Sequence, residues 1–171
     1  MRLLIKHPTK VALSYFLKPS MLILPVLLNA IFGSLLTTLS FTIIFGGVLS
    51  DIGYLVQALI WIIPGNLYLL YHLIDIKMYA KSTSVELTDN GLVVSSNSIK
   101  QNINATISFE NLAGVTVIQS FFMKLFGLTG LSIQSESRER FTPWGFEHKE
   151  TIKFAQEVLD KHRVLFRQTR K

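Results

Sequence analysis

Residues 85–94 read VELTDNGLVV, and this stretch predicts a β-hairpin. Apolar and polar side chains alternate before Asp89-Asn90-Gly91, and an apolar run follows it. These three turn residues favour a tight turn between antiparallel strands. We therefore expect one strand over residues 83–88 and a second strand over residues 92–95. The hairpin indicates that this half of the chain is built from antiparallel strands.

Further short strands are predicted after the hairpin. Alternating or β-branched residues favour strands over residues 103–109, 114–119, 131–135 and 140–143. Over residues 146–165 the period changes to that of an amphipathic helix, whose expected apolar stripe is Ile152, Ala155, Val158 and Leu159. The expected fold of residues 82–165 is an antiparallel β-sandwich or partial barrel capped by a C-terminal helix.

The first half of the chain has a different composition. Residues 19–50 contain no charged residue, and after Asp51 residues 52–74 contain none either. Because roughly 20 apolar residues cross a bilayer as a helix, we predict transmembrane helices over residues 21–44 and 54–74. A short glycine-containing link makes them antiparallel, so residues 21–81 form a transmembrane hairpin. A buried helix pair in a soluble protein and a signal peptide are the alternatives.

Basic residues flank the predicted hairpin on one side. Lysine and arginine are retained on the cytoplasmic side of a membrane, whereas the link between the helices carries only Asp51. We therefore expect a multi-pass protein of the cell (inner) membrane with both termini cytoplasmic, a basic segment over residues 1–20 and a basic tail over residues 166–171. The residues expected at the membrane surface are Arg2, Lys6, Lys10, Lys18, Lys77, Lys81, Arg163 and Arg167.

An apolar insert interrupts the water-facing half. Residues 118–135 read IQSFFMKLFGLTGLSIQS, and the apolar residues after Ser120 have the spacing of one or two helical turns. They could pack under the sheet as core, contact a neighbouring copy, or lie at the bilayer interface with the lysine toward lipid phosphates. The expected membrane or partner contacts are Phe121, Phe122, Lys124, Leu125 and Phe126.

Three stretches carry a family resemblance: VELTDNGLVV, ISFENLAGVTVIQSFFMKLFGLTGLSIQS and ETIKFAQEVLDKH. In this order, over roughly residues 15–162, the chain resembles the bacterial PH-like (pleckstrin-homology-like) domains that follow two membrane spans. Lys18-Pro19-Ser20 is similar to the family's basic entry into the first span. The resemblance implies a PH-like domain behind a membrane hairpin. The first hairpin turn carries Asp89 instead of several basic residues, which disfavours a phosphoinositide pocket.

No pattern for catalysis is present. The chain has no cysteine, its four histidines lie in separate segments, and no metal-ligand spacing or phosphate-binding glycine loop occurs. We predict no enzyme activity, no cofactor and no metal. His72 and Asp75 share a helical face near the end of the second span. They could form a proton or metal site, or lie among lipid headgroups with Tyr68, Tyr71 and Tyr79 as an aromatic belt.

These patterns favour a membrane-anchored, non-enzymatic PH-like module that presents a cytoplasmic protein-binding or assembly surface at the inner leaflet. The expected partners are the lipid bilayer and either further copies of the chain, as a homo-oligomer, or a related membrane protein. No nucleic-acid partner is expected, because no basic face is interleaved with aromatics, and no small-molecule substrate is identified. The alternative is a subunit of a small transporter or channel, which polar residues facing each other near Asn29, Gln57 and Asn66 would favour.

Overall fold

The computed structural model describes the backbone of residues 1–43 and 51–168, and the side chains of residues 1–35 and 62–164. The chain forms two compact units. Unit 1 comprises Met1–Tyr15 together with Asp75–Lys171, and unit 2 comprises Phe16–Ile74. The β-rich unit therefore contains the first residues of the chain, which the sequence assigned to a separate basic segment.

Unit 1 contains two antiparallel sheets. Sheet A has the strand order β1-β2-β3-β4, and in sheet B the central strand β6 pairs with β5, β7 and β8. The strands are β1 Arg2–Leu4, β2 Ser84–Leu87, β3 Gly91–Asn97, β4 Asn102–Ser108, β5 Leu112–Ile118, β6 Leu128–Ser135, β7 Arg140–Phe141 and β8 Trp144–Glu147. With the C-terminal helix α5, His148–Gln168, this confirms the predicted α+β class with antiparallel sheets.

The hairpin that opens the domain forms where the sequence predicts it. Strands β2 and β3 pair antiparallel with Val85 opposite Val94. The Thr88 N–H donates to the Gly91 carbonyl across the turn (2.9 Å). A side chain at Gly91 would bring its Cβ within 2.0 Å of the Ile107 carbonyl oxygen, so only glycine permits β4 to approach this closely.

The core lies between the two sheets and α5. Phe154 and Val158 of α5 are completely buried. The buried stripe of α5 is Thr151, Phe154, Ala155 and Val158, whereas Ile152 and Leu159, predicted on that stripe, are about one-third exposed. Burial of Thr151 is tolerated because its hydroxyl donates to the Glu147 carbonyl (2.8 Å) and bonds the Thr129 hydroxyl (2.8 Å).

Two N-terminal elements were not predicted. Strand β1 pairs with β2, with Leu3 opposite Val85 in the core. Helix α1 (Pro8–Phe16) buries Val11 against β8. Gly145 makes this contact possible, because a Cβ there would lie 2.8 Å from Val11 Cγ2 and the residue has a φ of +95°. Three strand residues beside several basic ones are too weak a signal for strand prediction.

Unit 2 contains helix α2 (Pro19–Ile43) and most of helix α3 (Asp51–Ser82). The two helices approach closely at Gly65, where a Cβ would lie 2.6 Å from the Pro25 carbonyl oxygen. Asn29 Oδ1 accepts a hydrogen bond from the Gly65 N–H (2.6 Å), and Tyr68 Oη lies 3.7 Å from Met21 Sδ. From one contact to the other the residue number falls in α2 and rises in α3. This is typical of an antiparallel pair of helices.

Among the described residues, no single helix is long and apolar enough to cross a bilayer. One bent pair, Pro8–Phe16 with Pro19–Leu35, meets the requirement of length and composition together. The two predicted spans therefore stay predictions. The predicted link between them lies largely at residues 44–50, outside the described residues.

The last residues of α3 belong to the core region of unit 1. The Tyr79 ring stacks on Trp144 of β8 with centroids 5.3 Å apart, and Tyr15 of α1 also stacks on Trp144 (6.2 Å). The Tyr79 hydroxyl donates to the Trp144 carbonyl (3.2 Å) and accepts from the Trp144 N–H (2.8 Å). Burial raises the pKa of Tyr79. Assignment of Tyr79 to an aromatic belt was therefore wrong, because its side chain is 4% exposed within unit 1.

We expect Tyr79→Phe to destabilise unit 1 by about 1–3 kcal/mol, because both main-chain groups of Trp144 lose their hydrogen bonds to the Tyr79 hydroxyl in a part-buried place. Tyr79→Leu, which also removes the ring stacking, should cost more. The measurement is denaturant unfolding of the full chain in detergent micelles, followed by tryptophan fluorescence. A Tyr79→Phe chain as stable as the parent would show that the hydroxyl contributes nothing.

Candidate interaction surface

A short helix stands in the loop between β5 and β6. This helix, α4, comprises Phe121–Leu125. Ser120 caps its start, since the hydroxyl accepts from the Met123 N–H (3.4 Å). Gly127, with a φ of +67°, follows its end, as glycine does at many helix C-termini. Serine before and glycine after the apolar run are therefore the local signals that fold the insert as one helical turn.

The apolar insert presents side chains to the outside. Phe121 is 70% exposed and Leu125 is 61% exposed, and their four-residue spacing places them on one face. Lys124 is also exposed, and the Phe122 ring meets that of Phe121 edge to face (5.4 Å). Phe122, Met123 and Phe126 are half-buried, and no α4 residue is fully buried. We call Phe121, Lys124 and Leu125 the α4 ridge.

The base of the α4 ridge, where β5 ends and β6 begins, is fixed by hydrogen bonds and burial. Gln119 Nε2 donates to the Leu128 carbonyl across the base (2.8 Å). The Gly127 carbonyl accepts from the His148 N–H at the start of α5 (3.1 Å). Because Leu128 is buried, the ridge is an outward extension of a packed hairpin. The sequence did not indicate the contact with His148, which depends on the packing of α5.

The segment that carries the α4 ridge has one charge, and it is positive. Residues 112–135 contain no aspartate or glutamate and one basic residue, Lys124. His148 and Lys149, at the adjacent start of α5, are exposed. Glu150 forms an ion pair with Lys6, and the hydrogen bond that Lys6 Nζ donates to Glu150 Oε1 raises the pKa of Lys6. An exposed apolar pair beside a lysine suits an apolar surface that carries negative charge.

The basic residues predicted at the membrane surface lie on separate elements. Lys6 contacts the first turn of α5 through Glu150, whereas Arg163 lies 13 positions further along that helix, or about 20 Å away. Lys18 belongs to unit 2, and the Arg167 side chain is outside the described residues. The remaining members are exposed on β1, α1 and the end of α3: Arg2, Lys10, Lys77 and Lys81.

His72 and Asp75 are both buried. In unit 2, the His72 ring packs edge to face against Tyr68 and Tyr71. In unit 1, Asp75 Oδ1 accepts from the Lys100 backbone N–H (3.2 Å). Among the described residues no three histidine, aspartate or glutamate side chains come close enough to share a metal ion. Both side chains are thus buried in contacts within the protein, whereas the sequence suggested a position among lipid headgroups.

Two clefts of unit 1 lie beside the Tyr79–Trp144 contact. The first, of about 170 Å³, is lined by residues that include Tyr79, Lys100 and Gln101. The second, of about 90 Å³, shares Tyr79 and Gln101 and reaches Arg140. Typical small-molecule pockets measure roughly 300–1,000 Å³, so both clefts are small for a substrate. The α4 ridge is the stronger candidate site.

Replacement of the ridge by Phe121→Asp with Leu125→Asp should leave the free energy of unfolding within about 0.5 kcal/mol of the parent, because exposed side chains contribute little to stability. The control, Leu128→Ala, removes a buried side chain two positions after Phe126 and should cost about 2–5 kcal/mol. Denaturant unfolding in micelles checks both. A large loss in the double variant would assign the ridge to the core.

The family model described as Bacterial PH domain matches residues 22–168. No curated protein and no solved structure gives a significant match. The matched range covers α3, both sheets from β2 onward, α4 and α5, and it begins after β1 and α1. The family suggests a non-enzymatic module. The chain belongs to the Bacterial PH domain family.

Proposed function

We propose that the protein is a PH-like module anchored in the cell (inner) membrane by the hairpin of α2 and α3, with both termini in the cytoplasm. The module acts without catalysis, as a cytoplasmic binding and assembly surface at the inner leaflet. Its partners are the bilayer and further copies of the chain or a related membrane protein. Neither nucleic acid nor a small-molecule substrate is part of this function.

The observation that carries the anchor is the outer surface of unit 2. Large aliphatic side chains on the described parts of α2 and α3 are about half exposed or more, which in water would form an extensive apolar patch. In a bilayer the same side chains contact lipid tails. They are Leu22, Ile23, Val26, Leu27, Ile31, Leu35, Ile62, Ile63, Leu67 and Leu70.

The α4 ridge is proposed to rest on the lipid interface. Ile118, at the base of the ridge, pairs with Gly130, and Gly130 lies against Trp144. Trp144 in turn stacks on Tyr79, which follows the predicted span by only five positions. Within unit 1, direct contacts thus connect the base of the ridge with Tyr79, in the part of α3 that follows the predicted span.

A lipid surface suits the α4 ridge better than a protein partner does. Specific protein interfaces bury about 800 Å² on each side, which is far more than two side chains and a lysine supply. Phe121 and Leu125 can enter the apolar edge of the headgroup layer while Lys124 meets lipid phosphates. The acid-free segment 112–135 removes repulsion from an anionic leaflet.

One observation favours the transporter alternative, since Asn29 and Asn66 line the same cavity of about 410 Å³ in unit 2, but the hydrogen bonds of both amides favour a structural role. Asn29, one of the residues expected to line a polar path, is engaged by the Gly65 N–H. Asn66 Nδ2 donates to the Ile62 carbonyl one turn earlier in its own helix (2.8 Å). Both amides thus have roles in helix structure, and the Gln57 side chain lies outside the described residues.

The anchor and its orientation predict two labelling patterns. The chain has no cysteine, so Ser50→Cys, in the predicted external link, should react with a membrane-impermeant maleimide on intact cells. The control Ser137→Cys, an exposed turn position of unit 1, should react only after the cells are lysed. Equal labelling of both positions, or release of the chain from membranes by alkaline carbonate, would contradict the proposal.

The ridge contact is tested on the full chain in vesicles of mixed neutral and anionic lipid. A bimane probe at Leu125→Cys should be quenched at least twofold more by lipids with a shallow nitroxide than the same probe at Ser137→Cys. Because the contact includes Lys124, purely neutral vesicles should reduce the difference. Equal quenching at the two positions would show that the ridge does not contact lipid. Contact between the probes of two copies would show that the ridge contacts a protein neighbour.

A further inference from the structure

Strand β4 forms one edge of sheet A, and among the described residues β3 is the only strand that pairs with it. The flanking hydrogen bonds set the direction of its main-chain groups. The Phe109 N–H donates to the Asn90 carbonyl, and the Ser98 N–H donates to the Gln101 carbonyl. These bonds show which opposed residues of the β3–β4 pair exchange hydrogen bonds.

Hydrogen-bonded and non-hydrogen-bonded positions alternate along an antiparallel pair. Ile103, Ala105 and Ile107 therefore use their N–H and C=O groups toward β3. The main-chain groups of the intervening positions point away from β3, along the outer edge of the sheet. These positions are Asn102, Asn104, Thr106 and Ser108.

The outer edge of β4 lacks the usual protection against pairing. Natural proteins protect edge strands with charges, proline, bulges or short length. Strand β1, at the opposite edge, has three residues and includes Arg2, and β5 is interrupted by an irregularity between Leu112 and Gly114. Strand β4 has seven residues, NINATIS, with no charge and no proline. Its exposed edge is therefore an available template for another strand.

We propose that β4 is a self-association surface, on which β4 of a second copy pairs antiparallel about a twofold axis at Ala105. This extends sheet A across two copies into one eight-stranded sheet. The inference deepens the proposed function, because it gives the assembly surface and its partner. Two copies confined to one membrane plane would also meet at a raised effective concentration.

The residues of β4 complement themselves in this register. With Ala105 opposite its own equivalent, Asn104 lies opposite Thr106 of the second copy. Both side chains are exposed, so an amide faces a hydroxyl on the outer side. On the core side, Ile103 lies opposite Ile107 of the second copy. Ile103 packs against the core while still partly exposed, and such an apolar cross-strand pair would cover it further.

The register also satisfies main-chain geometry. The outward groups of Asn104 meet those of Thr106 of the second copy, so both strands contribute donors and acceptors at hydrogen-bonded positions. The Ala105 pair occupies a non-hydrogen-bonded position, where Cα atoms are about 4.5 Å apart. That separation is within the range of a disulfide. A cysteine at this position is thus a specific probe of the axis.

The first test is oxidative crosslinking of the full chain in native membranes. Because the parent has no cysteine, Ala105→Cys should form a disulfide dimer of the chain. The control Thr116→Cys, on the exposed part of edge strand β5, should remain largely monomeric. Absence of the Ala105→Cys dimer, an equal yield from the control, or a crosslink to a different protein would overturn the proposal.

The second test uses charge pairs in the proposed register. Asn104→Lys with Thr106→Lys places lysine opposite lysine at both contacts and should weaken dimerisation in micelles at least tenfold. The matched variant Asn104→Lys with Thr106→Glu places lysine opposite glutamate and should stay within about threefold of the parent. Circular dichroism confirms that both variants fold. Equal weakening in the two folded variants would overturn the register.

Failure of this inference can be distinguished from failure of the anchor. A chain that labels at Ser50→Cys from outside but gives no Ala105→Cys dimer retains the membrane anchor and loses β4 pairing. A chain that leaves membranes with carbonate and still forms the disulfide dimer retains β4 pairing and loses the anchor.

Discussion

The contact between Tyr79 and Trp144 joins the end of α3 to the β-rich unit. The phenol bonds both main-chain groups of one β8 residue while its ring stacks on the same side chain. Thr83 alone separates α3 from β2. The domain begins on the helix itself, and the last turns of α3 are a structural part of it.

Two surfaces follow from this construction, and they lie on different sheets. The α4 ridge extends from the β5–β6 hairpin of sheet B, whereas the open edge of β4 ends sheet A. The ridge offers side chains, two apolar and one basic, and therefore suits lipid. The β4 edge offers main-chain donors and acceptors, and therefore suits another strand. The two surfaces share no residue.

Much of the domain could be predicted from the sequence because its signals are local. The Asp89-Asn90-Gly91 turn, the alternation of β4 and the serine and glycine around α4 act within a few residues. The stripe of α5 was predicted imperfectly, since Ile152 and Leu159 are as apolar as the residues that are buried. Position on the helix relative to the two sheets, not hydrophobicity, decides that Thr151 and Phe154 face inward.

By itself, the sequence determined the α+β class, the antiparallel strands β2 to β7, the C-terminal helix and the existence of an apolar insert, because periodicity and turn chemistry are properties of neighbouring residues. It did not indicate strand β8, whose residues it assigned in part to the helix. Only the tertiary structure decided that β1 joins sheet A, that Tyr79 is buried on Trp144, and that Phe121 and Leu125 face outward. These outcomes depend on contacts between residues that are distant in the chain, such as Leu3 with Val85. An apolar side chain has the same identity in a core and on a surface, so its partners alone decide its role.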